Sequence, residues 1–296
     1  MKNISVSVII PAYNESHTIG PLVEKIRFLY PDFEVLVVDD GSMDSTARTA
    51  ALTGAKVCRH PYNIGNGASI KTGIRNATGE ILVFMDGDGQ HDPQDIGKML
   101  RNFPDYDMVV GERTAKDQAT VFRFFGNQMF NRLASYVAKF YVRDLTSGFR
   151  AIKSDIAKKY LYLLPNTYSY PTTLTLCVLR SGRSLKYVPV HVRKRRSGKS
   201  NIGIFKDGVR FFMIIIKICT LYSPFRIFLP VSLVTFMAGM VYYLYTYLSM
   251  GRFTNMSALM FTTSVVIFMM GLVSDQIAQL RYERSEEANR PDRERK

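Results

Sequence analysis

Short apolar runs and stretches of helical apolar spacing alternate from the N-terminus to about residue 110. Val6 to Ile10 is a β-branched run that predicts a strand. Ile19, Leu22, Val23, Ile26 and Leu29 recur at three- and four-residue steps, which predicts a helix over Glu15 to Leu29. EVLVV, Glu34 to Val38, predicts a second strand; Ser42 to Thr53 a helix; Lys56 to Arg59 a third strand; Ala68 to Ala77 a helix. EILVFM, Glu80 to Met85, leaves no polar face and predicts a fourth strand buried on both sides. Met108 to Gly111 predicts a fifth. Strands alternating with helices predict an α/β fold with parallel pairing, and in such sheets ligands gather beyond the carboxyl ends of the strands. The polar clusters fall at those ends: Asn14-Glu15, Asp39-Asp40 and Asp86 to Asp88.

Further along, Thr120 to Arg150 begins helical and ends in the polar turn DLTSGFR, residues 167–181 predict a helix, and Leu185 to Val192 a strand followed by KRRSGKSN. Residues 203–220 carry Lys206, Arg210 and Lys217 at helical spacing on an apolar background, the pattern of a helix lying along a bilayer or packed on the domain. Ile227 to Gly251 and Phe253 to Ser274 then run without a charge, each longer than the roughly 20 residues that cross a bilayer core. Only a few residues around Arg252 separate them, so they predict a transmembrane hairpin. The expected organisation is a cytoplasmic catalytic domain over 1–201, amphipathic juxtamembrane helices over 202–225, the hairpin over 226–280 and a charged cytoplasmic tail over 281–296.

The charge supports that organisation. The formal net charge is +14, and between Lys186 and Arg210 eight Lys or Arg face a single acid, Asp207. A basic block beside a membrane span orients the protein and meets lipid headgroups, which makes nucleic acid the poorer reading. Both ends of the hairpin are expected in the cytoplasm. Cys58, Cys177 and Cys219 are widely spaced and form no CxxC pair, so buried thiols in a reducing compartment are expected rather than disulfides or zinc. The N-terminus enters an apolar run directly, which predicts no signal peptide.

Asp86-Gly87-Asp88-Gly89-Gln90 carries the clearest chemistry. Two carboxylates one residue apart at a strand end can enter one crevice and suit a hard divalent cation, with Gln90 able to add a carbonyl oxygen. Such a cation bridges and neutralises a diphosphate leaving group; a solvated turn is the plainer alternative. Pro11-Ala12-Tyr13-Asn14-Glu15 closes the first strand, where Tyr13 can stack on a base. Asp39-Asp40-Gly41-Ser42, with Asp44, closes the second; these acids can accept hydrogen bonds from a base or ribose, or cap the next helix. Gly65-Asn66-Gly67 lacks the third glycine of a dinucleotide loop, and Lys71 lacks the preceding glycine of a Walker loop, so a flexible turn with Lys71 near the bound phosphates is expected.

PAYNE, DDGS with its following Asp, the stretch from Asn63 to Gly73, DGDGQHDP and TSGFRA, in this order, resemble the GT-A glycosyltransferases of family 2, over roughly residues 5–201. Within that family the chain is most similar to the dolichol-phosphate-mannose-synthase-like branch, and the two-span tail also matches membrane-anchored members. The resemblance implies a GT-A fold, a nucleotide-diphospho-sugar donor, Mg²⁺ or Mn²⁺, a polyprenyl phosphate acceptor (undecaprenyl or dolichyl), a lipid bilayer around the tail, and inversion at the sugar carbon. A homo-oligomer is compatible with it. The match implies that Pro11, Tyr13, Glu15, Asp40, Lys71 and Asp86 bind the donor and that Asp86, Asp88 and Gln90 hold the metal. Arg196, Lys199 and Ser200 match a loop that closes over the donor diphosphate. Arg113, in GERT, resembles the arginine that takes the acceptor phosphate, with Arg123 a second candidate and Ser147 and Arg150 shaping that side. Asp144 resembles an acid near the reacting centre, with a positioning or weakly basic role; with Asp88 and Arg113 it completes the expected catalytic set. His91 is expected to be structural.

A phosphate monoester is largely ionised near neutral pH, its second pKa being about 6, and attacks without a strong base. Two alternatives remain at this point: a polysaccharide-type enzyme acting on a sugar acceptor, and a non-catalytic membrane scaffold. The chain has no tryptophan, hence no QxxRW motif of processive enzymes, and the acids at 40, 86 and 88 argue against a scaffold. The sugar, and UDP against GDP, are left open.

Overall fold

The computed structural model describes residues 4–113, 131–132, 135–136, 139–167, 169–190, 192, 213 and 224–287, with side chains described as far as Leu280. Two compact units divide the chain, Met1–Ile214 and Ile215–Lys296. The expected juxtamembrane helices fall almost wholly outside the described residues.

The first unit is built on a seven-stranded sheet in the order β3-β2-β1-β4-β6-β5-β7. Its strands are β1 (Val6–Ala12), β2 (Glu34–Asp39), β3 (Lys56–Arg59), β4 (Ile81–Phe84), β5 (Met108–Arg113), β6 (Arg150–Lys153) and β7 (Leu185–Val190). Around them pack α1 (Ser16–Leu29), α2 (Thr46–Leu52), α3 (Asn66–Asn76), α4 (Gln94–Leu100), α5 (Ser154–Lys159) and α6 (Tyr170–Arg180). β4 is buried along its whole length, as its composition predicts. The core is continuous: Val8, Ile10, Val37 and Val83 of the sheet meet Ile19, Val23 and Ile26 of α1.

The expectation of parallel pairing holds for β1 with β2 and β4, for β2 with β3 and for β5 with β7. β6 corrects it: this strand, unseen in the sequence pattern, pairs antiparallel with both β4 and β5. Four residues are too few to show periodicity. The consequence is chemical, because an antiparallel strand begins where its neighbours end. Arg150, the first residue of β6, pairs with Phe84, the last of β4, so the turn before Arg150 lies at the carboxyl end of the sheet. At the other half, the order β3-β2-β1-β4 reverses direction between β1 and β4, the place where open α/β sheets bind ligands.

Two boundaries move. β1 runs on to Ala12 through Pro11, which is tolerated because the β4 ladder ends at Ile9 and leaves β1 paired only with β2 beyond it. The expected helix from Ser42 starts only at Thr46, because Asp39 Oδ1 takes the Ser42 N–H at 3.2 Å and Asp44 Oδ1 takes the Thr46 N–H at 2.9 Å. Side chains that accept backbone N–H groups hold that segment as a turn.

The second unit is two helices, α7 (Phe225–Met250) and α8 (Asn255–Glu287). Phe225–Met250 and Asn255–Leu280 have mean hydropathies of 1.9 and 2.0 and are long enough to cross a membrane. Gly251, at φ 62°, ends α7 with its N–H on the Tyr247 carbonyl at 2.9 Å. The buried residues of α7 are Ser232, Gly239 and Thr246; on α8, Ser257 and Ser264 are buried and Gly271 faces Phe228. Both series step by seven, the repeat that keeps one face of a helix against a partner. Small residues let the backbones approach, and Ser232 Oγ donates to the Ser264 carbonyl at 2.8 Å. A Cβ on Gly239 would meet Met260 Cβ at 3.0 Å. Gly239→Leu is therefore expected to separate the helices at a cost of about 1–3 kcal/mol. Disulfide cross-linking of a Ser232→Cys/Ser264→Cys pair reports it, and undiminished cross-linking with leucine at 239 would refute pairing through this face.

Candidate active site

The ends of β1 and β2 are stitched together by reciprocal hydrogen bonds. Asn14 N donates to Ser42 Oγ (2.9 Å) and Met43 N to Asn14 Oδ1 (3.0 Å). Glu15 N donates to Thr46 Oγ1 (2.8 Å) and Ser16 N to Asp44 Oδ2 (3.2 Å). Asn14 adopts φ 55°, a left-handed conformation that asparagine tolerates better than most residues. The stitching fixes Tyr13, 41% exposed, on the wall of an open cleft of about 910 Å³ that Gly41, Ser42, Met43 and the segment from Arg59 to Asn63 also line.

Asp40 is buried below that cleft. Its Oδ1 accepts from Ile64 N at 3.0 Å and lies 2.7 Å from His60 Nδ1, and its Oδ2 accepts from Gly65 N at 2.8 Å. Glu15 is also buried, and its Oε2 lies 2.9 Å from the Thr18 hydroxyl. That same hydroxyl is 2.8 Å from the Gly87 carbonyl, which ties α1 to the turn between Asp86 and Asp88. Thr18 has no sequence signal beyond being a polar residue three positions after Glu15. Pro11 reaches the same turn through its backbone: a Cβ on Gly87 would lie 3.1 Å from the Pro11 carbonyl oxygen.

Lys71 sits on α3 with its ammonium donating to the Leu164 carbonyl at 3.3 Å, and burial, then Arg75, lowers its pKa. Gly65 and Gly67 correct the expected flexible turn. A Cβ on Gly65 would come within 2.3 Å of the Asn166 carbonyl oxygen and one on Gly67 within 2.1 Å of that of Pro165. These glycines permit close backbone packing against residues 165–167, which Ala68 N reinforces by donating to Asn166 O at 3.2 Å.

Asp86 and Asp88 follow β4 and are half-buried. Asp88 Oδ1 accepts from Gln90 N at 3.1 Å, which shapes the turn. Gly148 forms the wall beside Asp86: a Cβ there would stand 2.9 Å from Asp86 Oδ2. Among the described residues no cluster of three or more His, Cys, Asp or Glu is placed to hold a metal. Two carboxylates and an amide carbonyl are all hard oxygen donors, and Mg²⁺ is commonly held by one or two carboxylates plus substrate phosphates. The donor set therefore fits a cation shared with a diphosphate.

Arg113, at the end of β5, is paired with Asp144. Nε donates to Oδ2 at 2.8 Å and Nη2 to Oδ1 at 2.9 Å, and Nη2 also lies 2.6 Å from Thr146 Oγ1. Burial opposes the charge of Asp144, but the fork of Arg113 outweighs it and holds the carboxyl below its ordinary range. Burial likewise works against Arg113, and Asp144 with the nearby charge of Asp86 overcomes it and raises the guanidinium pKa. A carboxylate held this way is a poor proton acceptor, which favours positioning over base work for Asp144.

Ser147 is expected on the acceptor side, but it is 2% exposed with its hydroxyl unpartnered, and its N–H goes to Asp144 Oδ1 at 3.1 Å. Its carbonyl accepts two N–H groups of Arg150, which is fully buried and also donates to Pro171 O (2.9 Å) and Thr175 Oγ1 (3.1 Å). His91 is buried and stacked on Phe149 at 4.8 Å. Burial drives its pKa down to about 4, which supports the structural reading. A single antiparallel bridge joins it to Val192. Arg123, Arg196, Lys199 and Ser200 lie outside the described residues.

Comparison with known proteins agrees with this geometry. The family model "Glycosyl transferase family 2" matches residues 7–161, and the model "GtrB C-terminal hairpin" matches residues 223–280. The chain belongs to glycosyltransferase family 2; it is a glycosyltransferase that ends in a membrane hairpin. An uncharacterised protein of Methanocaldococcus jannaschii is 34% identical over 62% of this chain and 79% of its own length. An undecaprenyl-phosphate mannosyltransferase of Micrococcus luteus is 28% identical over 69% of this chain and 90% of its own. Glucosyl-3-phosphoglycerate synthase of Mycobacterium tuberculosis, solved with Mn²⁺, UDP and phosphoglyceric acid, superposes with a TM-score of 0.59. It is 19% identical and covers 73% of this chain and 79% of its own. That likeness is one of fold, and the fold is GT-A.

Two predictions test the paired charges and the glycine wall. Asp144→Asn leaves a half-buried guanidinium without its counter-charge and is expected to cost about 1–3 kcal/mol at neutral pH. The folded pKa of Asp144 lies below its unfolded value, so its contribution is complete above about pH 4 and is lost as pH falls through the folded value. The thermal midpoints of wild type and Asp144→Asn should converge on acidification, and a constant gap would contradict the pairing. Gly148→Ala should displace Asp86 and reduce turnover at least tenfold with only a small change in melting temperature; normal turnover would show that the wall is not needed.

Proposed function

We propose that this glycosyltransferase moves a sugar from a nucleotide-diphospho-sugar to a polyprenyl phosphate at the cytoplasmic face of a membrane. The observation that carries the reading is the pairing of two kinds of site in one crevice. Acids suited to a metal-bound diphosphate follow β4, a guanidinium paired with Asp144 ends β5, and the turn that carries Asp144 also carries Gly148, where a Cβ would stand 2.9 Å from Asp86 Oδ2. Support comes also from the membrane hairpin and from the similarity to an enzyme named for undecaprenyl phosphate. The basic block from Lys186 to Arg210 supports a cytoplasmic side for both hairpin ends.

In this reading the nucleotide lies in the cleft beside Tyr13, with Pro11, Glu15 and Asp40 shaping it and Lys71, Arg196 and Ser200 on the donor side. Asp86, Asp88 and Gln90 hold Mg²⁺ or Mn²⁺, which supplies neutralising charge to the leaving diphosphate when bound. Arg113 presents the acceptor phosphate to the sugar, with Arg123 and the Ser147 turn on the same side. One acceptor phosphate oxygen forms a bond to the anomeric carbon as the bond from that carbon to the diphosphate oxygen breaks. The nucleoside diphosphate departs, and a single displacement inverts the carbon. An ionised phosphate needs no proton removed, so a low-pKa Asp144 that aligns Arg113 suffices. Catalysis is by positioning and charge stabilisation.

The test is a panel of radiolabelled UDP- and GDP-sugars against undecaprenyl and dolichyl phosphate, with the product extracted as lipid. Metal-dependent label in the lipid is expected, and transfer to a simple sugar acceptor instead would overturn the proposal. Asp88→Asn should abolish transfer. Arg113→Lys, which keeps charge but loses the fork, should raise the acceptor KM about tenfold or more and leave the donor KM near wild type; the reverse split would remove Arg113 from the acceptor side.

A further inference from the structure

Just upstream of Asp144 the chain sets aromatic rings outside the core of the first unit. Tyr136, Phe140 and Tyr141 are 58%, 38% and 74% exposed. The backbone that carries the last two is held from below. Asn131 Nδ2 donates to the Arg143 carbonyl at 2.7 Å, and Asn131 Oδ1 accepts from Leu145 N at 3.2 Å. Ser135 Oγ donates to the Asn131 carbonyl at 2.6 Å and accepts from Val142 N at 2.9 Å. Val142 and Leu145 are buried, and Lys139 sits in a turn at φ 52°. The rings are thus displayed on a fixed backbone. Apolar surface kept in water costs free energy, and a fixed display of it marks a surface that meets a partner.

The charges around the rings select the partner. From Asn131 to Arg143 the sequence has three basic residues, Arg132, Lys139 and Arg143, and no acid. All three are exposed, and Arg143 Nη1 meets Glu112 Oε2 at 3.4 Å. Aromatic rings mixed with lysine and arginine suit the headgroup level of a bilayer, where the rings reach beneath the headgroups and the cations stay with the phosphates. A protein partner fits less well, because lysine is depleted from such interfaces. The chain also ends in a membrane hairpin, which keeps a bilayer within reach. We infer that Tyr136 and the loop from Lys139 to Arg143 form a membrane-contacting surface, with Phe140 and Tyr141 entering the anionic headgroup layer. Asp144 follows at once, and its carboxylate holds Arg113. A loop seated among headgroups keeps that guanidinium near the depth at which a lipid phosphate lies. This last consequence, unlike the contact itself, rests on the acceptor proposed above.

The chain has no tryptophan, so a single introduced one reports without background. The experiment uses full-length Tyr141→Trp in vesicles of phosphatidylethanolamine and phosphatidylglycerol, part of the lipid carrying bromine on its acyl chains as a contact quencher. Leu52→Trp is the control: Leu52 is 79% exposed on α2, which leads into β3 at the amino end of the sheet, away from Asp144. Tyr141→Trp should lose most of its emission to bromine and be shielded from aqueous acrylamide, whereas Leu52→Trp should keep its emission and stay open to acrylamide. Phe140→Trp is the second reporter should Tyr141→Trp fail to fold. Adding Arg132→Glu and Lys139→Glu should reduce the quenching, since each basic residue at an anionic surface contributes about fivefold. In the same vesicles, Phe140→Ser/Tyr141→Ser should raise the KM of undecaprenyl phosphate about tenfold, the scale of one ring lost from an apolar layer, and change the donor KM less than about twofold. Quenching of Tyr141→Trp no stronger than that of Leu52→Trp would overturn the inference. So would shielding from acrylamide without bromine quenching, the mark of a protein partner or a second copy on the loop. Quenching with an unchanged acceptor KM would overturn the loop's part in acceptor capture. Quenching in a wild-type background that transfers to no lipid phosphate would support the contact and overturn the acceptor reading instead.

Discussion

A buried guanidinium sets the geometry at the carboxyl end of the sheet. Arg150 is withdrawn from water, and burial pulls its pKa down against the charges of Asp144 and Asp86 and the hydroxyls of Tyr170 and Tyr187. Taking such a cation out of water costs several kcal/mol. Hydrogen bonds to the Ser147 and Pro171 carbonyls and to Thr175 offset that cost and in doing so fix the chain on either side. Ser147 and Gly148 are held where Gly148 abuts Asp86, and Asp144, just upstream, is left facing Arg113. The acids of β4 and the arginine of β5 thus share one support, which explains how a four-residue antiparallel strand can organise both sides of the site.

The donor side depends on a different device. Backbone N–H groups of the segment after β1 bond to side chains of the segment after β2, and Asp40 gathers the segment after β3. These bonds satisfy the strand ends and leave the cleft between them open. Where such a bond is buried, as at Glu15 N, a lost partner costs about 1–3 kcal/mol. A cleft built this way keeps its shape before any ligand arrives.

The hairpin is held by neither means. Lipid is as apolar as the helix surfaces, so burying leucine gains nothing there, and the contact face is instead a seven-residue repeat of serine, glycine and threonine. Large apolar side chains such as Leu233, Val241 and Leu248 point outward, the inverse of the first unit, whose core is Val, Ile and Leu.

By itself, the sequence determined the elements on the β1–β4 half, the polar clusters at their carboxyl ends, the two apolar spans and the family. Each of these is a local pattern: period, composition or a motif of contiguous residues. What only the tertiary structure decided depends on residues far apart in the chain. The antiparallel β6, the Arg113–Asp144 fork, the reach of Thr18 to Gly87 and the commitment of Asp40 to His60 join positions tens of residues apart, through contacts no local window contains. The glycines show the same division: Gly65, Gly67 and Gly148 are visible as glycines, but the carbonyls and the carboxylate that forbid a Cβ there belong to other segments, and only folding brings them within 3 Å.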